Sequence, residues 1–576
     1  MRSQLALQLL LPVSIWGFDT GPHNDMTRNV LENFGYSKSA QDVISVANWF
    51  TDVYAFAPNF GNKVGVLPNH ILPLEEMHCN NLYNIVYGVN YASQHVLNTR
   101  NAVRDAASRG DTLAFMALMG TSVHLYQDFY AHSNWAELQL THDCDCYLVD
   151  RTLFSHLKVA NGSLDAMLDA NPQLNAYTTY QWKGPEDPYF NIFPGTLQHG
   201  DYCNGINHDS AVRPNFEEAY AWAYGATTEW IANVERWARE VNPNIVENAK
   251  AWQPADDTQR TQLQDNQNHA FEVSYSTTAW IFGEDNGHWK GSGSGDLTTF
   301  AASTAKFSSS NTFLTNLYTG SNPVWYLLSE PSPYRFLNDS RDPQSGDVLP
   351  DQQTISQATS YFTPLSSLPS NYTDVKAIVL RTTEFNISSS YEGLISRPNP
   401  YAVVEFDGWR TREAPMHGQR YLKPWWTSIR FYPSSARGVN IVYTLMDTAA
   451  SNSQGKQINI TSGEGKLRFT LNTEDNTLTG GVTGVHNTTD SIATVTAPDG
   501  TSLKFFVDTR QFICSNSMDA NELRVSFCKN TAYGELGVFS DCEGSRQVWD
   551  HSAAVRAGVR VGMLVLVGLV GLVLIV

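Results

Sequence analysis

The sequence predicts a multi-domain α + β protein, with a mainly α-helical N-terminal region and a C-terminal antiparallel β-sandwich. Three observations carry this. Apolar residues recur at helical spacing from about residue 23 to 240: Met26, Val30 and Leu31 mark one stripe, and Trp222, Ala226, Trp230, Val234 and Trp237 another. After residue 371 the apolar period changes to two, with turn residues between short runs. The chain has 576 residues, against a usual ~100–200 per domain, so about two to four domains are expected.

Composition narrows the class. Hydrophobic residues make up 42%, which excludes wholesale disorder, and charged residues only 16%, which argues against a long coiled coil. Thirty-eight basic against 57 acidic side chains leave a net charge of −19. Such a surface repels phosphate backbones, so broad nucleic-acid binding is not expected, although a local metal site can still hold a phosphate.

The segments follow in order. Residues 1–15 read as a secretory signal: Arg2, then the apolar run Leu5 to Ile15, before Trp16-Gly17. Residues 16–250 form the helical domain. Residues 251–370 are a mixed helical and loop extension of it. This extension holds the glycine-rich stretch Gly283 to Asp296, an ordered turn rather than a P-loop, since no Gly-Lys-Ser/Thr ends it. Residues 371–510 form the sandwich, with strands expected at Val375–Thr382, Tyr401–Phe406, Ser428–Tyr432, Asn440–Leu445, Lys466–Leu471 and Leu503–Asp508. Residues 511–550 are a cysteine-containing tail. In 551–576, Ser552, Ala553 and Ala554 precede a spacer with Arg556 and Arg560. The run Val561 to Val576 then carries no polar side chain. That order predicts a GPI-attachment signal, with a C-terminal transmembrane helix as the alternative.

Export is also expected from six sequons, at Asn161, Asn338, Asn371, Asn386, Asn459 and Asn487. Five lie beyond residue 330, which makes that half a glycosylated outer surface. Of seven cysteines, Cys79, Cys144, Cys146 and Cys203 can form two bridges in three connectivities. Cys514, Cys528 and Cys542 leave one over. The Cys144-Asp-Cys146 pair also has the chemistry of a metal site, but an oxidising compartment favours disulfides.

The chemistry concentrates in His124-Leu-Tyr-Gln-Asp128-Phe-Tyr-Ala-His132-Ser-Asn-Trp135, behind the apolar run Leu113 to Val123. On a helix, positions i, i+4 and i+8 drift by only ~40° per step. His124, Asp128 and His132 therefore share a face, and Leu125 and Phe129 pack beside it. Two imidazoles flanking a carboxylate suit zinc. One helix cannot enclose an ion, so further ligands must come from elsewhere. His23 in Gly-Pro-His-Asn-Asp-Met-Thr, Asp52 in Asn-Trp-Phe-Thr-Asp-Val-Tyr and His78 in Glu-Met-His-Cys-Asn-Asn are the candidates. Alone, each of these histidines would be read as a core residue.

Trp16-Gly17, His23, Asp52, His78 and the His124–Trp135 motif resemble the superfamily of zinc-dependent phospholipases C and fungal single-strand nucleases. The motif is most similar in form to the heterokaryon-incompatibility Het-C family. Gly200-Asp-Tyr-Cys-Asn-Gly-Ile-Asn207 and Gly287-His-Trp-Lys-Gly-Ser-Gly-Ser-Gly295 add to the likeness, which covers about residues 16 to 300. The resemblance implies a phospholipase C-like helical domain with one to three zinc ions. His23 and the freed amino end of Trp16 would hold one ion with Asp128. Asp52, His78, His124 and Asp128 would hold another, and His132 would serve a third. Two spacings depart from the pattern. Asp128 and His132 are four apart rather than six, and the helix from Pro214 lacks the expected later histidine, leaving His199, His208, Glu217 and Glu218 as weak substitutes.

In the sandwich, Asn399-Pro-Tyr-Ala-Val-Val-Glu-Phe-Asp-Gly408, Pro424-Trp-Trp426 and Asp447 resemble the lipid-binding sandwich of C-two type. Asn399 stands where that pattern has an aspartate, one charge fewer for calcium, so a structural sandwich is expected.

These readings predict a secreted, membrane-tethered metal-dependent phosphoesterase. It would hydrolyse phospholipid phosphodiesters, with Asp52 and Asp128 as the catalytic carboxylates and a phospholipid or membrane surface as partner. The alternative is a non-catalytic cell-surface recognition protein with a structural zinc site. Single-strand nuclease action is a third idea, and the net charge counts against it.

Overall fold

The computed structural model describes residues 20–56, 77–79, 85–133, 135, 152–170, 208, 216–264, 350–391, 398–413, 420–422, 424, 426–447, 455–488 and 490–510, plus a few two-residue strand pairings; the side chains of Thr20, Phe50, residues 52–56, Ala170, Gln264 and Leu422 are excepted. The signal, the Gly200–Asn207 stretch and the apolar C-terminal run lie outside these residues. So do Trp16, His199 and Asn338. The Gly283–Asp296 stretch contributes only a two-residue strand pairing. An α-helical N-terminal region is followed by an antiparallel β-sheet region.

Among the described residues, five long helices build the first region: α1 (Thr20–Asn33), α2 (Lys38–Phe56), α3 (Ile85–Ser108), α4 (Thr112–Ala131) and α5 (Phe216–Arg239). Helix α4 is the central one. Gly110, at φ +67°, turns the chain out of α3. Asp111 then caps α4 by accepting the Ala114 N–H at 3.0 Å. Every residue from Phe115 to Ala131 is buried, as expected of a helix that is apolar almost all round. Gly120 lets α4 press against α2, since a side chain there would meet the Ile44 carbonyl. The aromatic stripe of α5 is core packing. Trp230 stacks on Tyr126 with centroids 4.2 Å apart and donates its indole N–H to Ser122 Oγ at 2.9 Å, while Trp237 donates to the Tyr361 carbonyl. That last bond ties the 350–370 segment, with its short helix Gln352–Ser360, onto the helical core.

The second region contains β1 (Val375–Asn386), β2 (Pro400–Phe406), β3 (Trp409–Arg412), β4 (Tyr421–Leu422), β5 (Trp426–Pro433), β6 (Gly438–Asp447), β7 (Lys456–Ile458), β8 (Leu467–Asn472), β9 (Thr477–Gly480), β10 (Gly484–Val485), β11 (Ala493–Thr496) and β12 (Ser502–Arg510). All six expected strands are present, five of them longer than the expected run and the one expected at Lys466–Leu471 shifted by one residue to Leu467–Asn472. One sheet has the order β5-β1-β12-β11 with β4 also on β1; the other runs β10-β9-β8-β6-β2-β3 with β7 on β6. Every pairing is antiparallel.

Between the sheets lie Ile378, Leu380, Phe385, Val404, Phe406 and Phe505. The other face of the first sheet is covered too. Val375, Ala377, Val379, Ile429 and Phe431 belong to the core of the helical region. The molecule is therefore helices on sheet on sheet, and the change of period at residue 371 marks a change of secondary structure, not of core. Phe431 stacks on Tyr224 at 3.7 Å. The Asn29 amide pairs with the backbone of Phe431, accepting its N–H at 2.8 Å and donating to its carbonyl at 3.2 Å. This completes the exposed edge of β5 from α1.

Asp447 is buried and accepts the Asn399 N–H at 2.8 Å and the Tyr391 hydroxyl at 3.3 Å. It pins two loops, in keeping with a structural sandwich. Asn161, Asn371, Asn386 and Asn459 are exposed and Asn487 is half-buried. Cys79 is buried, its Sγ 3.4 Å from the Leu125 carbonyl oxygen. Cys144, Cys146, Cys203, Cys528 and Cys542 lie outside the described residues, and of Cys514 only the backbone pairing is described. Among the described residues, no helix is long and apolar enough to cross a membrane.

Candidate metal centre

Three helices and one turn deliver the site. His23 is in the first turn of α1, Asn48 lies on α2, His78 is in the turn after Met77, and His124, Gln127 and Asp128 project from α4. The imidazoles of His23, His78 and His124 and the carboxylate of Asp128 are all fully buried.

Asp128 is the centre. His23 Nε2 lies 2.9 Å from Asp128 Oδ1. His78 Nδ1 at 2.9 Å and His124 Nε2 at 3.0 Å face Asp128 Oδ2. His78 Nδ1 and His124 Nε2 are themselves 2.9 Å apart. The His23 and His124 rings stack at 4.3 Å, and His78 meets His124 edge-on at 4.5 Å. Burial alone would raise the Asp128 carboxyl, but the His124 and His23 rings outweigh it and hold the group well below the usual carboxylate range. Burial lowers His124 to about 3, and it lowers His78 as well. An ionised Asp128 beside His78 and His124 held neutral is the protonation state a divalent cation requires of such ligands.

His23, His124 and Asp128 form a group whose ligand atoms all lie within 4.8 Å of one another, so this group could hold a metal ion. Nitrogen and carboxylate donors at this separation fit zinc in kind.

The structure brings together four of the expected ligands: His23, His78, His124 and Asp128. His132 is buried but outside the His23–His124–Asp128 group. Helix α4 ends at Ala131, and His132 is its C-cap, its N–H still bonded to the Asp128 carbonyl at 2.8 Å. Asp52 lies on α2, one turn beyond Asn48, with its side chain outside the description. His208 is buried, and its N–H donates to the Ala131 carbonyl at 2.9 Å, beside His132. Glu217, at the start of α5, is taken by arginine. Arg381 donates to both its oxygens, and Arg510 Nη1 donates at 2.9 Å. Burial would raise Glu217, but Arg381 and Arg510 outweigh it and lower the group, while Glu218 is pushed up to about 7 by burial and by Glu217.

Sequence reasoning missed the polar ring around the ligands. His23 Nδ1 is 2.5 Å from Gln127 Oε1, and His124 Nδ1 is 2.9 Å from Asn48 Oδ1. Asn48 Nδ2 donates to Gln127 Oε1 at 2.7 Å and to Thr27 Oγ1 at 2.6 Å. Gln127 Nε2 donates to Thr27 and Thr227, each at 3.0 Å. Two signals were available: Gln127 precedes Asp128 in the motif, and Asn48 stands four residues before Asp52.

No family model matches the chain, and no curated protein matches it significantly.

Proposed function

We propose that the protein is a metal-dependent phosphoesterase that hydrolyses phospholipid phosphodiesters at a membrane surface. The observation that carries this reading is the two-sided use of Asp128. One oxygen faces His23 and the other faces His124 and His78, so the carboxylate presents both its sides to imidazoles, and His23, His124 and Asp128 are grouped closely enough for one ion. The resemblance of the His124–Trp135 motif to the Het-C family supports the same reading, with one to three zinc ions. When bound, zinc would polarise phosphate oxygens and acidify a water molecule. Asp128 stays ionised to accept on both oxygens, and His78 and His124 stay neutral to donate lone pairs. Asp52, one turn beyond Asn48, is assigned to orient the attacking water and take its proton. Attack at phosphorus then expels an alkoxide.

The test uses the full chain purified with zinc and phospholipid vesicles. Wild type releases head group and Asp128→Asn does not; equal rates would remove the enzymatic reading. The signal, the exposed sequons and the apolar tail support export and a GPI tether. A phospholipase that cleaves such anchors should then free the protein from cells, whereas retention would favour a transmembrane tail.

Complete burial of His23, His78, His124 and Asp128 favours a second reading, a structural ion in a cell-surface recognition protein. Elemental analysis separates the two. One tightly held ion without hydrolysis supports the structural role, while two or three ions weaken it.

A further inference from the structure

The hydrogen bonds behind the ligands have a direction that can be traced from one fixed end. Thr227 Oγ1 donates its single proton to the Ala223 carbonyl at 2.7 Å, an ordinary helical back-bond. Toward Gln127 it can therefore only accept, so the group facing it at 3.0 Å is the Gln127 NH2. The Gln127 oxygen then faces His23 Nδ1. The same oxygen accepts from Asn48, which fixes the Asn48 NH2 there and turns the Asn48 oxygen toward His124 Nδ1. An amide oxygen can only accept, so each Nδ1 carries the proton. Each Nε2 is thereby the ring nitrogen turned toward Asp128.

We propose that Thr227, Gln127 and Asn48 are positioning residues that set the tautomers of His23 and His124 together, so that both Nε2 lone pairs are committed to metal before any metal arrives. This inference rests on the metal-centre reading of the same site. Holding Nδ1 of each ring as the donor to an amide oxygen leaves each Nε2 as the atom that meets a cation beside Asp128. The ring therefore acts as a latch for a cation, from behind the ligands and without touching it.

The experiment measures zinc affinity by competition with a chromogenic chelator, using full-length protein stripped of metal. Histidine tautomers are read in the same stripped protein by long-range 1H–15N spectra of 15N-histidine-labelled material. Thr227→Val, nearly isosteric, should weaken zinc binding by about 10–100-fold and shift His23 toward the Nε2-protonated form. Thr227→Ser should restore both. Gln127→Glu, which keeps the acceptor, should retain tight binding, and Gln127→Leu should lose it. The proposal is overturned if Thr227→Val and Gln127→Leu bind zinc like wild type, or if stripped wild type shows His23 and His124 protonated at Nε2. Wild type that binds no zinc at all sinks the metal-centre reading itself, a different outcome from either of these.

Discussion

Gly120→Ala tests how the helical packing holds the site. A Cβ built at Gly120 stands 2.7 Å from the Ala47 Cβ and 3.0 Å from the Ile44 carbonyl carbon, and closer still to the Ile44 oxygen. Carbon atoms pack best at roughly 3.5–4.0 Å, so α2 and α4 must separate by about 1 Å. Overpacking of this kind costs about 1–3 kcal/mol. Removing a helix-interior glycine returns up to about 1 kcal/mol, leaving a net loss of about 0–2 kcal/mol. The local effect is larger than the global one. Asn48 rides on α2 and His124 on α4, and their bond is 2.9 Å long. A separation of about 1 Å takes it beyond hydrogen-bonding range. The expected result is a small fall in denaturation midpoint with a loss of zinc affinity of about tenfold or more. Gly88→Ala on α3 is the control, because nothing lies within 4 Å of a Cβ there. If Gly120→Ala keeps zinc affinity within about twofold of wild type, the helix spacing does not govern the site and the reasoning fails.

Two other perturbations have calculable signs. His95 donates from Nε2 to the Ser122 carbonyl at 2.8 Å, stacks on Trp230, and is lowered by burial from 6.5 to about 4. The unfolded chain thus binds a proton that the native state refuses between about pH 6.5 and 4. Stability should fall by roughly 3 kcal/mol on acidification through that window, and His95→Gln should flatten that part of the denaturation-midpoint profile. Glu217→Gln leaves Arg381 and Arg510 buried with one counter-charge fewer and should cost about 3–5 kcal/mol by chemical denaturation; a loss under about 1 kcal/mol would show that Asp508, 2.7 Å from Arg510 Nε, suffices.

Most of the fold was legible because its signals are periodic. The strand Val375–Asn386 shows what was left unread. Its run Val-Lys-Ala-Ile-Val-Leu is close to continuously apolar, where a sandwich strand with a solvated face alternates strictly. That run already implied cover on both faces. The short strands Trp409–Arg412, Thr477–Gly480 and Ala493–Thr496 were missed because four residues give no measurable period. At the site, the ligand-type residues were legible from their chemistry. The ring behind them was not, because Thr27, Asn48 and Thr227 are ordinary polar residues in helices. Only tertiary packing makes their hydrogen bonds converge.

The sheet and the polar ring are mechanically joined, which explains why a polar cluster this deep in the core can hold one geometry. Helix α1 brings His23 and Thr27 to the ring and, two residues after Thr27, Asn29 to the backbone of Phe431. Helix α5 brings Thr227 to the ring, and ten residues earlier Glu217 to Arg381 and Arg510, about 15 Å away along the axis. Each helix is thus fixed to the first sheet at one point and to the ring at another. A helix held at two separated points can neither slide nor roll without breaking one of them. The tolerance required of a preorganised site, about 0.5 Å, is tighter than apolar packing alone specifies. The buried ion cluster at Glu217 and the amide pairing at Asn29 supply the directional contacts that apolar surfaces lack, and they do so away from the ligands, where their charge does not compete for the cation.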